Sequence, residues 1–283
     1  MPDVIAPQNA AQAANWNGPQ GQVWVDMQDA LDRELAPLGA AGLQALDARP
    51  GERILDIGCG CGTTTLELAR AVGPSGEALG LDISRPMLEV ARRRAAEAGL
   101  SQARFVEADI QVHPLDPAGH DAAFSRFGVM LVADPVAAFA NIAGALRPGG
   151  RITLVVWRGP ELNPAMSLPL AAAKHLLPPM PPADPLAPGP FAFADRERIL
   201  NILDGAKLED ARVRPFDGTT SAGDLDASVA LYTRIGPLGR ALRENPHLAD
   251  AAATAVRDAL VPFDTTDGVQ LDAAAWIVQA RKA

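Results

Sequence analysis

The feature that most constrains this chain is the segment Ile54-Leu55-Asp56-Ile57-Gly58-Cys59-Gly60-Cys61-Gly62. An apolar run of strand length passes directly into alternating glycines, and a helical pattern starts at Thr63. Glycine adopts positive φ readily and lets backbone amides approach a ligand closely. The helix after such a turn presents its N-terminus to the same crevice. Asp82 stands twenty residues after Gly62, in Gly80-Leu81-Asp82-Ile83, at the end of a second apolar run. A carboxylate at that strand end is placed to accept hydrogen bonds from ribose hydroxyls.

The same alternation continues along the chain. Strands are predicted over 53–57, 78–82, 103–107, 121–125 and 151–157. Helices are predicted over 63–72, 85–98 and 134–146. Gly99 closes the second helix as a C-terminal stop, and Pro135 suits the first turn of the third. Pro148-Gly149-Gly150 reads as a turn before the fifth strand. Strands alternating with helices imply a parallel sheet covered on both faces. Before the series, residues 1–20 read as irregular. Val23, Met27, Leu31, Leu35 and Leu38 then predict one or two helices over 23–46. After Trp157 the pattern changes. The stretch 176–190 holds seven prolines and reads as irregular. Helices are expected over 168–177, 195–205, 224–235 and 248–260, the last introduced by Pro246, and two more strands over 211–216 and 276–280.

A dinucleotide is the rival ligand for the glycine turn. Its fingerprint, G-x-G-x-x-G/A, requires a small residue where this chain has Thr63. Asp56 discriminates further. A negative charge at that strand end is awkward beside a pyrophosphate and suits a ligand with a cationic amino group.

The segment resembles motif I of the class I S-adenosyl-L-methionine (SAM)-dependent methyltransferases, and the resemblance extends over about residues 45–157. Glu107-Ala108-Asp109-Ile110 is similar to the family's segment after the third strand, His120-Asp121-Ala122-Ala123-Phe124-Ser125 to its fourth strand, and Leu146-Arg147-Pro148-Gly149-Gly150 to the turn before its fifth. The likeness is greatest to small-molecule methyltransferases of the ubiquinone/menaquinone-biosynthesis type. It implies an α/β, Rossmann-like seven-stranded, mostly parallel sheet with helices on both faces, an antiparallel edge, and a partly helical cap. It implies SAM as cofactor, with Asp56, Gly58, Gly60, Gly62, Asp82, Ile83, Asp109, Ile110 and Ser125 around it. In that family the residue at Asp82 meets the adenosine ribose, and the one at Asp109 faces the adenine amino group. Phe124-Ser125-Arg126-Phe127 departs from the (N/D)PP(Y/F) signature of enzymes that methylate nucleic-acid bases or protein glutamine, which points to a small acceptor.

Other residues carry alternatives. Arg126 is placed to meet the cofactor carboxylate or an acidic substrate, or is a solvated surface arginine. Trp16 and Trp24 flank a Gly/Pro turn and either form an N-terminal lid or pack a helix onto the core. His113, His120 and His247 read as surface residues. His175 on an apolar helix and Tyr232, the only tyrosine, are the available candidates for a base or a substrate contact. The alternatives are a structural histidine and core packing.

Composition narrows the partners. The 283 residues carry 25 basic and 34 acidic side chains, a net charge of −9, which argues against nucleic acid and anionic membrane surfaces. No apolar run reaches the ~20 residues of a membrane span. The N-terminus lacks a signal-peptide pattern, so a cytoplasmic location is expected. Cys59 and Cys61 are the only cysteines and read as buried or half-buried loop thiols, with no metal site expected. The expected organisation is an N-terminal helical lid over 1–45, a SAM-binding core over 46–157, and a C-terminal part over 158–283 with cap insertions at about 158–194 and 218–268. The expected reaction is direct methyl transfer to a small, largely apolar molecule, with homodimerisation through the 162–193 segment as an alternative use of its apolar surface. Decarboxylation, cyclisation or hydroxylation on the same cofactor, or SAM binding without turnover, would show the same core motifs.

Overall fold

The computed structural model describes residues 5–179 and 184–283. Part of the proline-rich stretch, 180–183, and residues 1–4 of the N-terminal segment lie outside the described residues. The chain opens with three helices, α1 (Ala10–Trp16), α2 (Pro19–Asp26) and α3 (Gln28–Leu46). Then follow β1 (Arg53–Ile57), α4 (Thr63–Val72), β2 (Glu77–Asp82), α5 (Arg85–Glu97), β3 (Ala103–Glu107), β4 (His120–Arg126), α6 (Pro135–Ala145) and β5 (Leu146–Trp157). The C-terminal part contains α7 (Pro164–Ala173), α8 (Arg196–Gly205), β6 (Leu208–Thr220), α9 (Leu225–Tyr232), α10 (Gly236–Glu244) and α11 (Ala249–Leu260). A short ribbon, β7 (Asp264–Thr265) with β8 (Gly268–Val269), leads into β9 (Leu271–Lys282).

The seven-stranded sheet has the order β3-β2-β1-β4-β5-β9-β6. β1 to β5 are mutually parallel, and β9 runs antiparallel to both β5 and β6. The chain builds outward from β1 through β2 to β3, then resumes on the other side of β1 with β4. That reversal opens a crevice at the carboxyl ends of β1 and β4, where ligands bind in open α/β sheets.

The sequence shows why these elements form. Ile54 and Leu55 of β1 are fully buried on opposite faces, as a strand between two helical layers requires. α4 turns Leu68, Ala69 and Val72 onto the sheet. α6 starts at Pro135, and the Asp134 carboxylate caps it by accepting from the Ala137 amide at 3.0 Å. Gly99 takes φ +65 directly after α5, as its stop role requires.

Two apolar cores result. The larger runs along the sheet. The smaller joins Ala30 and Leu31 of α3 to Leu231 and Tyr232 of α9, Leu238 and Leu242 of α10, and Val256 and Leu260 of α11. α3 serves both, because its Leu35, Leu38 and Leu46 face the sheet core.

Three expectations need correction. Residues 10–16 and the start of α2 are helical. α1 buries no residue, so it lacks the apolar stripe by which a helix is read. Pro148-Gly149-Gly150 lies inside β5, which begins at Leu146, where Leu146 pairs with His120 ahead of a register shift. The helix expected over 168–177 is α7, which starts earlier, at Pro164, and carries Pro169 inside it. No described helix is long and apolar enough to cross a membrane.

Candidate active site

A cavity lies over the carboxyl ends of the first four strands. Across the sheet its floor is Asp109 and Ile110 after β3, Asp82 and Ile83 after β2, Gly58 to Cys61 after β1, and Arg126 and Phe127 at the end of β4. Its roof comes from the N-terminal helices: Asn9, Gln12 and Trp16, then Trp24, Leu31 and Leu35.

The glycine turn is shaped by its backbone. Gly58, Gly60 and Gly62 all have positive φ, at +68, +53 and +84. A Cβ on Gly58 would sit 2.5 Å from the Gly128 Cα, so the loop after β1 and the loop after β4 touch backbone to backbone. Gly62 answers a different demand. A Cβ there would meet the Ala91 side chain at 2.8 Å, so it serves helix packing and lies off the cavity wall.

The three acids expected at the site differ in what occupies them. Asp82 is buried, with Oδ2 accepting from the Gly60 amide at 2.7 Å and Oδ1 from the Ser84 amide at 2.8 Å. Burial raises its pKa, and those amides oppose the rise. A carboxylate has about four acceptor positions, so Asp82 retains acceptor capacity on the cavity side. Asp56 is fully buried behind the glycine turn and is not on the cavity wall. Its Oδ2 accepts from Thr64 and Thr65 at 2.7 and 2.6 Å, while Oδ1 has no partner among the described residues. Burial pushes its carboxyl up to about 6, against the two threonine hydroxyls and the Arg126 charge. Direct contact between Asp56 and a cationic ligand, the sequence expectation, is therefore replaced by a supporting position one layer below.

Asp109 borders the cavity but is already engaged. Its carboxylate accepts from the Ala6 amide at 3.0 Å, the Gln111 amide at 2.9 Å and the Asn9 Nδ2 at 3.0 and 2.9 Å. Asn9 in turn accepts from the Ala133 amide at 2.9 Å. The N-terminal segment is thus strapped across the site through the residue expected to face adenine.

Known proteins resemble this chain. Residues 54–150 match the family described as a methyltransferase domain. A demethylmenaquinone methyltransferase of Staphylococcus aureus is 27% identical over 188 residues, covering 64% of this chain and 77% of that protein. An uncharacterized 37.1 kDa protein in transposon TN4556 of Streptomyces fradiae is 45% identical over 112 residues, 40% of this chain, and the match spans only 32% of that protein. Among solved structures, the YcgJ protein from Bacillus subtilis superposes with a TM-score of 0.57 at 20% identity, over 87% of this chain and 98% of that one, and so shares the fold. These likenesses support a class I SAM-dependent methyltransferase, with its methyltransferase domain over residues 54–150.

Within this methyltransferase the remaining expected residues separate cleanly. Ser125 is fully buried and donates to the Ile57 carbonyl at 2.7 Å, fastening β4 to β1 behind the wall. Ile83 lines the cavity, and its carbonyl accepts from Asn17 at 2.8 Å. Trp16 and Trp24 both line the cavity and pack edge to face, with centroids 5.6 Å apart. Arg126 borders the cavity too. His175 does not. It is exposed beyond α7, away from the cavity wall. Tyr232 is 2% exposed in the smaller core, where its hydroxyl donates to the Glu34 Oε1 at 2.9 Å. Neither candidate base reaches the methyltransferase cavity. His120, expected at the surface, is buried, and neither ring nitrogen meets a side-chain partner among the described residues.

Several wall residues escaped the sequence reading. Asn9 and Gln12 lay in a stretch with no apolar period. Asp32 faces the cavity from α3, held by Arg94 Nη2 at 3.0 Å and by Thr63 Oγ1 at 2.6 Å. Phe127 adopts φ +61, a costly conformation for an aromatic residue, and stacks on Trp157 at 4.0 Å between centroids. The Phe127-Gly128 pair directly after an apolar strand was the available signal for that turn. The thiols contribute no nucleophile: burial pushes Cys61 up to about 12 and raises Cys59 as well.

Proposed function

We propose that this methyltransferase moves the methyl group of SAM to a small, largely apolar acceptor by direct in-line displacement. One observation carries the reading. A single cavity joins a nucleoside end, with the Asp82 carboxylate and the positive-φ glycine turn, to an apolar end walled by Trp24, Leu31, Leu35, Phe127 and Leu131. The residues present fit the cofactor, because Asp82 keeps acceptor capacity for ribose hydroxyls and the turn after β1 brings Gly58 and Gly60 backbone, without side chains, to the cavity wall. When bound, SAM supplies a methyl on a positively charged sulfur that is already activated as a leaving group.

The protein's part is mainly to position. Asp82 holds the ribose, the glycine turn after β1 seats the amino-acid end, and the roof from Asn9 to Leu35 excludes water. Effective molarity from such holding is worth ~7–11 kcal/mol of barrier. Among the described residues the cavity wall carries no histidine, which favours an acceptor whose nucleophile needs no strong base. The division into a lid at 1–45, a SAM-binding core at 46–157 and a C-terminal part of the core at 158–283 with cap insertions at about 158–194 and 218–268 belongs to this reading, as do a cytoplasmic location and a partner that is not nucleic acid. The demethylmenaquinone methyltransferase relative, by its name, acts on an apolar small molecule, in line with the chamber.

The test is methyl-labelled SAM with a panel of alkylphenols, quinols and terpenoid alcohols. Label in the organic extract together with S-adenosylhomocysteine (SAH) is the expected result. Binding of SAM with no SAH formed across the panel would show a binding module or a different chemistry.

A further inference from the structure

Arg126 ends β4 and borders the cavity, half-buried. Its side chain makes no hydrogen bond and no ion pair among the described residues. Asp32, Asp56 and Glu67 are the acids whose charges reach it. Asp32 is committed to Arg94, Thr63 and Gln28. Asp56 gives Oδ2 to two threonines and keeps Oδ1 buried without a partner. The guanidinium therefore sits at the edge of a mostly apolar chamber with donors that no described side chain takes, open to a ligand's acceptors. Its seat is built for it. Gly39 of α3 lies against it, where an added Cβ would stand 3.1 Å from Nη1 and 3.2 Å from Cδ. The helix is thus notched for this one side chain, and the same helix places Leu31 and Leu35 on the cavity wall.

We infer that Arg126 forms an anion subsite in the cavity, taking a carboxylate by its planar fork, from either the amino-acid end of the cofactor or an acidic acceptor with an apolar body. The inference rests on the methyl-transfer reading for its ligands. In sheet order the adenine and ribose residues stand after β3 and β2, the glycine turn after β1, and Arg126 after β4. A carboxylate at Arg126 is therefore at the end of the cavity opposite the adenine. A guanidinium holds a carboxylate bidentately, with two parallel hydrogen bonds.

Arg126→Met removes the charge and keeps the stem, and Arg126→Lys keeps the charge without the fork. Calorimetry with SAH and with 5′-methylthioadenosine, which lacks the amino-acid part, reads the cofactor arm. Titration of SAH-saturated protein with dodecanoate and with dodecanol, followed by tryptophan fluorescence, reads the acceptor arm. Arg126→Met is expected to lose at least about tenfold in affinity for one carboxylate ligand and to leave its carboxylate-free counterpart unchanged. Lysine should recover part of that loss. A loss confined to SAH assigns the subsite to the cofactor, and one confined to dodecanoate assigns it to the acceptor. Should Arg126→Met not fold, Gly39→Ala, which crowds the guanidinium, must weaken the same ligand. A folded Arg126→Met that binds all four ligands like the unmodified protein overturns the inference and leaves methyl transfer standing. An unmodified protein that binds no SAH sinks the methyl-transfer reading instead, and dodecanoate against dodecanol on the ligand-free protein still tests Arg126.

Discussion

Two carboxyls of this methyltransferase are buried in different regions, Asp56 under the glycine turn and Glu34 in the smaller core. Burial raises both, to about 6 and about 7. Asp56 is held by two hydroxyls from the first turn of α4, no more than nine residues further along the chain. Glu34 is held by one hydroxyl, from Tyr232, 198 residues away. Physical cost is shared, but origin is not. Asp56 follows from local backbone demands at a strand end, whereas Glu34 exists as a buried acid only because α9 packs against α3. Asp82 and the glycine turn at the cavity's nucleoside end are of the first kind, and Asp109 under its Asn9 strap and the side chains of the cap are of the second.

The largest expected effect falls on the first kind. In Gly58→Val a side chain must enter a position with φ +68 whose Cβ lies 2.5 Å from the Gly128 Cα. Backbone strain of about 1–3 kcal/mol and overpacking of about 1–3 kcal/mol add together there. SAH binding should vanish in calorimetry, and the midpoint of denaturant unfolding should fall. A variant that retains SAH affinity would mean that the two loops do not need to touch.

Glu34 gives the next effect, and its sign is fixed by burial. The folded protein holds the Glu34 proton up to about pH 7, and the unfolded chain releases it near 4.5. Between those values the folded state binds more protons, so this group's contribution to stability is full below 4.5 and is lost as pH rises to about 7. The total is on the order of 3 kcal/mol. Glu34→Gln should flatten that part of the stability–pH profile in chemical denaturation and leave SAH affinity unchanged. If the substitution weakens SAH, the two regions are energetically one.

Asp82→Ala is expected to cost at least about tenfold in SAH affinity, since charge-assisted hydrogen bonds are worth about 1.5–3 kcal/mol each. Because Asp82 also pins the Gly60 and Ser84 amides, part of the loss comes through the loop. Asp82→Asn, which keeps one acceptor oxygen, should lose less. Equal affinities for all three proteins, measured by calorimetry, would remove Asp82 from the ribose.

Legibility follows the same division. Strand ends and turns were readable because few residues satisfy them: Gly58 and Gly60 at positive φ, Asp82 where amides converge, Gly99 as a helix stop. α4 was predicted over its observed span because apolar residues at helical spacing face one layer of sheet. The strap through Asn9 was not readable. A buried asparagine carboxamide meeting Asp109 leaves no period in sequence, and its partner is 100 residues distant. Tyr232 was singled out by rarity, and rarity carries no direction. Its hydroxyl turned to Glu34 because a buried phenol must find an acceptor.

His175 offers the smallest effect. It was attractive as a base because the sequence placed it on an apolar helix of the expected cap, where it would face an acceptor. That requires burial, and the side chain is exposed just after α7 ends at Ala173. An exposed histidine without ordered partners offers little to a reaction whose main demand is alignment. Its removal deletes no packed volume either, and surface substitutions of that kind stay within about 0.5 kcal/mol. His175→Ala should therefore match the unmodified protein in melting temperature, in SAH affinity and in the pH profile of label transfer to the best acceptor of the panel. Loss of the acid-side limb of that profile, with SAH affinity intact, would show that the α7 end swings over the cavity during turnover. The cap would then contribute chemistry as well as walls.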